Sequence, residues 1–268
     1  MIALTAALLC TVVGHASAID AREMTSVRDC RIGYRVHPHG ASLSGLVAII
    51  SHGFLRNGDF MSGWAEAIGA SGTPAVTVDL CASGTLGGRH ADNAADLIAL
   101  RRKLGIEAVV YVGVSAGGLA SLIAAADDRE ATRGVLLLDP TNAGGQARSA
   151  AARVQAPVAA LIAGPQMCNA WRNIDPALAT LREATTVRIA DASHCDFEWP
   201  TNNFCRVACV AIGSPERSAR AQSRIRSLGV SFIGAIASGS PAALVEWRDA
   251  IADHIFAPAA QSRQHLVN

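Results

Sequence analysis

The sequence predicts an α/β fold: a mainly parallel, twisted sheet with helices on both faces. Short apolar runs alternate along the chain with stretches of helical spacing, which implies strands joined by right-handed helical crossovers. The runs LVAII, AVVYV and GVLLLD lack the polar–apolar alternation of a half-exposed strand. They are rich in Val, Ile, Leu and Ala, as strands covered on both faces require. With 268 residues, half of them hydrophobic and 17% charged, the chain can bury a large core within one domain.

Residues 1–18, MIALTAALLCTVVGHASA, carry no charged side chain and end in Ala16-Ser17-Ala18. This pattern reads as a secretory leader with an A-x-A cleavage site, too short to span a bilayer. Residues 19–268 are then the mature domain. Strands are expected at 46–50, 75–79, 108–112, 134–139, 157–164 and 186–190, separated by helices at 60–71, 91–104, 116–126 and 176–184. The 91–104 segment, ADNAADLIALRRKL, places Asp early and Arg and Lys late, as the helix dipole favours. Pro176 suits the first turn of its helix. The Arg- and Ser-rich stretch 213–229 reads as a solvated helix or linker, 241–256 as an amphipathic closing helix, and the last dozen residues as a frayed tail. Only residues 140–156 separate two neighbouring strands at the point where a lid would insert. No large lid domain is expected, and the site should be open.

The formal charge is +1 and Lys103 is the only lysine. Polyanion binding needs a concentrated basic face, so no nucleic-acid partner is expected, nor stable membrane insertion once the leader is removed. Removing the leader leaves Cys30, Cys81, Cys168, Cys195, Cys205 and Cys209. An even count in an exported, secreted or periplasmic chain favours disulfides. A Cys168–Cys195 bridge would pin the loop around residue 194. Cys205 and Cys209, with His194 and Cys195, could instead hold zinc, but the paired knuckles or spaced histidines of zinc sites are missing.

Residues 113–117, Gly-Val-Ser-Ala-Gly, match G-x-S-x-G where an apolar strand gives way to an Ala-rich helix. A tight strand-to-helix turn exposes the serine Oγ and aims the N–H groups of the helix start at nearby negative charge. A serine hydroxyl needs a base within reach and an acid to orient that base, in the chain order Ser, acid, His. After Ser115 the histidines are His194, His254 and His265. His194 follows a strand through the short loop DASH and so arrives at the same sheet edge as Ser115. For the acid, Asp139 ends the strand after the elbow and Asp175 is the alternative. Asp191 is too near the histidine, and Asp196 and Glu198 could cap or bind substrate. Oxyanion charge would fall to the N–H of Ala116 and to that of Phe54 in the loop His52-Gly53-Phe54, with His52 as an orienting or core residue.

These segments resemble the α/β-hydrolase superfamily over nearly the whole chain after residue 30. Within it, GVSAGG, LLLDPTNAGG and SHCDFE are similar to the chlorophyllase-like branch, and a second similar branch holds the cutinase-like polyester hydrolases. The chlorophyllase-like resemblance implies an acid in a D-P motif after the strand following the elbow, which is Asp139, and a histidine before a D-F pair, which is His194. Val114 and Ala116 depart from plant chlorophyllases, and cutinase-like enzymes take their acid from a later position, where this chain has PQMCN.

The expected function is a serine carboxylic-ester hydrolase working through an acyl-enzyme, with no metal or organic cofactor. Phe54, Trp171 or Trp199 at an open rim would suit a hydrophobic or bulky ester, small or polymeric. The same side chains could support acyl transfer or cofactor-free peroxidation. A binding protein on a hydrolase scaffold is the non-catalytic alternative.

Overall fold

The computed structural model describes residues 21–81, 89–209 and 214–256; the leader and the tail of the sequence reading lie outside them. Among the described residues eight strands form one sheet in the order β1-β2-β4-β3-β5-β6-β7-β8. From β3 (Leu46–Ser51), β4 (Ala75–Val78) and β5 (Ala108–Val114) through β6 (Thr132–Leu138), β7 (Val158–Ile162) and β8 (Ala184–Arg188), all neighbours are parallel.

The sequence reading did not identify β1 (Ala21–Thr25) and β2 (Arg31–His37), which add an antiparallel edge against β4. In β2 the buried Ile32 and Tyr34 are interleaved with polar or small residues, so no continuous apolar run marks it.

The central strands are covered twice. Val47 and Ile49 enter one core cluster, while Ala48 and Ile50 enter the other. On the first face α2 (His90–Lys103) contributes Leu97 and Leu100, and α3 (Ala116–Asp127) contributes Leu119 and Leu122. Every residue of α3 from Gly117 to Ala126 is buried, which accounts for its small side chains. On the second face lie α1 (Ser62–Ala70) with Trp64 and Ile68, α7 (Pro215–Ala237), and α8 (Pro241–Phe256) with Trp247 and Ile251.

Of the two readings of 213–229, the part described from Ser214 onward is the helix rather than the linker, with one face solvated and the other buried. Ser214 caps Arg217 N–H at 3.3 Å, Pro215 opens α7, and Ala221, Ile225, Leu228, Phe232 and Ile233 pack beneath its exposed arginines. The helix expected at 176–184 is also shorter than read. It is α5 (Asp175–Leu178), because Ala184 already pairs with Val158 in the β7–β8 ladder. Residues 140–156 hold only the short α4 (Gln146–Ala151). Among the described residues no helix is long and apolar enough to cross a membrane.

Among the described residues three disulfides are present, Cys30–Cys81, Cys168–Cys209 and Cys195–Cys205, with Cα separations of 6.3, 5.3 and 5.9 Å. The Cys168–Cys195 bridge of the sequence reading is not formed. Each of those cysteines instead reaches the short α6 (Asn203–Ala208) or the residue after it, because an i, i+4 pair on one helical turn offers both sulfurs to one side. Sulfurs tied up in disulfides have no thiolate for zinc.

Candidate active site

Functional groups in a parallel sheet collect at the carboxyl ends of the strands, and β3, β5, β6 and β8 each deliver one here. Ser115 follows β5 with φ 54° and ψ −120°, a conformation disfavoured for any residue with a side chain. Its N–H donates to the Leu138 carbonyl at 3.0 Å, and its carbonyl accepts from Gly118 at 3.0 Å and Thr141 at 3.2 Å.

The flanking glycines are steric necessities. A Cβ on Gly113 would stand 2.3 Å from the Gly117 carbonyl oxygen, and one on Gly117 would stand 2.3 Å from that of His52. No side chain fits either place, which explains the spacing of the motif.

Asp139 follows β6 directly and is 2% exposed. Its Oδ2 accepts from His194 Nδ1 at 2.6 Å, and its Oδ1 accepts from the Ala163 N–H at 2.9 Å. An ionised carboxylate can only accept, so Nδ1 is the protonated nitrogen in this bond, and in the neutral tautomer Nε2 is the one that carries the lone pair.

Two amides missed in the sequence complete the cage. The fully buried Asn169 donates through Nδ2 to both Asp139 oxygens, at 3.3 and 3.2 Å, and to the Gly164 carbonyl at 2.8 Å. Gln166 accepts from the His194 N–H at 3.1 Å and donates to the Ala192 carbonyl at 3.2 Å. Both lie in the PQMCN stretch after β7.

The other acids are occupied elsewhere. Asp175 pairs with Arg172 at 3.1 Å and Asp191 with Arg217 at 2.7 Å. Asp196 closes a capping box with Ser193 and accepts from Ser218. Glu198 is buried against Arg56, whose Nε–H donates to it at 2.8 Å; burial pushes its carboxyl above the usual range, against the pull of that guanidinium. His254 falls on α8 and His265 outside the described residues.

The loop after β3 lies against the elbow, where a Cβ on Gly53 would come 3.3 Å from Ser115 Cβ. His52 is 1% exposed; its Nδ1 donates to the Gly53 carbonyl at 2.8 Å and its Nε2 accepts from the Leu80 N–H at 2.9 Å. Burial keeps its pKa below the ordinary histidine value, which suits a ring that must stay neutral to make both bonds. The Gly53 carbonyl also accepts from the Arg56 N–H at 3.3 Å. With that carbonyl held toward His52, the trans peptide turns the Phe54 N–H the opposite way. Ala116 opens α3, so its N–H is one of the unpaired donors of a helix start.

This eight-stranded scaffold is the α/β-hydrolase fold. A thermophilic esterase from Thermogutta terrifontis superposes with a TM-score of 0.54 at 15% identity, over 78% of this chain and 99% of that one. A dienelactone hydrolase from Anabaena variabilis gives 0.54 at 20% identity, over 77% and 96%. An alpha-beta serine hydrolase homologue from Coxiella burnetii gives 0.57 at 13% identity, over 78% and 96%. No family model and no curated protein matches the sequence.

Proposed function

We propose that the chain is an exported serine carboxylic-ester hydrolase, its leader at 1–18 removed and residues 19–268 forming one domain. The carrying observation is the buried Asp139–His194 hydrogen bond at the same sheet edge as the strained Ser115. Fold alone does not assign chemistry, although this scaffold is shared with proteins named as esterases.

In this reading His194 Nε2 takes the Ser115 proton as Oγ attacks the ester carbonyl. Asp139 holds the ring and stabilises the imidazolium, and the N–H groups of Phe54 and Ala116 receive the oxyanion. The imidazolium then protonates the departing alcohol, and water, activated by the same histidine, releases the acid and restores Ser115. The position of the acid, one strand after the elbow, supports the chlorophyllase-like over the cutinase-like resemblance.

The rim supports a hydrophobic ester. Phe54, Leu55, Met167 and Trp171 are 39, 54, 56 and 72% exposed on the loops after β3 and β7. Trp199 does not belong to this rim: its carbonyl accepts from Gly63, and Arg226 lies 3.9 Å over its ring.

Ser115→Ala should lower kcat for p-nitrophenyl acetate by several orders of magnitude and abolish fluorophosphonate labelling. Undiminished hydrolysis by that variant refutes the assignment, and hydrolysis crippled by Asp175→Asn but not by Asp139→Asn refutes the acid.

A further inference from the structure

The Arg56–Glu198 pair costs desolvation on both sides, each side chain being only 7% exposed. Buried pairs of this kind are often no more stabilising than apolar side chains of similar size. Its placement suggests what it supplies instead. Arg56 lies two residues after Phe54, in the turn closed by its own N–H on the Gly53 carbonyl. Glu198 lies four residues after His194 and caps the 3-10 turn that His194 opens. The guanidinium sits 4.6 Å over the Phe60 ring and 5.5 Å from that of Phe204. Phe204 adjoins Cys205, whose disulfide partner Cys195 adjoins His194.

We infer that Arg56 and Glu198 are positioning residues that fix the turn bearing the Phe54 N–H relative to the loop bearing His194. The inference rests on the esterase reading above. The 197–199 segment has further anchors besides the pair. Trp64 Nε1 donates to Phe197 at 2.9 Å, Trp199 N–H to Phe60 at 2.9 Å, and Gly63 N–H to Trp199 at 2.9 Å. Losing the ion pair therefore removes the direct tie between the two loops and loosens the oxyanion turn, which the His52–Gly53 hydrogen bond is left to hold, while the histidine loop stays seated. An oxyanion contact is made in the transition state more than in the ground state, so the loss falls on kcat and spares KM.

The experiment compares parent, Ser115→Ala, Glu198→Ala, Glu198→Gln and the double variant Arg56→Met/Glu198→Met for p-nitrophenyl acetate kinetics and thermal midpoint. Glu198→Ala and the double variant should lose about 10- to 100-fold in kcat with KM changed less than about threefold, the scale of a misplaced catalytic donor. Glu198→Gln, which keeps an oxygen for Arg56 Nε, should return kcat to within about threefold of the parent. The double variant, with no buried charge left unpaired, should keep the parent midpoint; if Glu198→Ala does not fold, the double variant carries the kinetic comparison. A folded double variant with parental kcat, or a loss confined to KM, overturns the positioning role alone. A parent no more active than Ser115→Ala overturns the esterase reading, and the inference with it.

Discussion

The turn that carries Ser115 and the loop that carries His194 lie on one rim of the sheet but are held by different means. Around Ser115 the backbone does the holding: two glycines let a strand, a helix and the His52 segment come closer than any side chain allows. Around His194 the backbone is a single 3-10 turn, His194–Phe197, closed by the Ser193–Asp196 capping box, and distant side chains supply the rest of the holding. Gln166 and Asn169 come from the segment after β7, Arg56 from the loop after β3, and Cys205 from α6. The first arrangement is local in sequence and intolerant of substitution. The second is assembled from parts and should fail by degrees.

The comparison breaks most visibly at Gly117. An alanine there places its Cβ 2.3 Å from the His52 carbonyl oxygen and 2.7 Å from that of Ser51, both backbone atoms. Gly117→Ala should cost about 3 kcal/mol or more and remove hydrolysis; urea unfolding close to the parent's would show that the elbow yields after all.

Replacing both members of the Cys195–Cys205 bridge, separated by 10 residues, by serine should cost about 2–3 kcal/mol on the chain-entropy account. The sheet should remain folded by circular dichroism while kcat falls, since the bridge anchors the residue next to His194. Parental kcat in a bridge-free protein would mean that the amide cage suffices.

The smallest effect is a pH slope. His52 titrates below its ordinary value of 6.5 because it is buried. Above pH 6.5 its contribution is constant. Between 6.5 and the lower folded-state value the unfolded chain takes up a proton that the native ring resists, so stability falls as pH falls. The slope is at most about 1.4 kcal/mol per pH unit. Glu198, raised by burial, acts in the opposite direction. Urea midpoints at pH 7.5 and 5.5 should therefore drop more in the parent than in His52→Gln, and equal drops would remove the assignment of a neutral ring.

The same contrast explains what could be read from the sequence. The doubly covered strands and the elbow were legible because their constraints are local: apolar runs, glycine spacing, a strand end. Asp139 and His194 were legible as strand-end positions. Asn169 and Gln166 were not, because an amide in a loop carries no local mark of the carboxylate it will meet. The cysteine pairing was equally hidden, since 168, 195, 205 and 209 come together only through the tertiary path of α6. In α7 the arginines misled. They occupy the exposed face of a helix whose other face buries Ile225 and Phe232, a period that charge counting obscures.

The Asn169 amide touches both oxygens of Asp139, although the two residues come from the ends of different strands. Because the same amide also grips the Gly164 carbonyl, a shift of the segment after β7 would pass straight to the carboxylate that seats the imidazole, so the two strand ends travel as one at this rim.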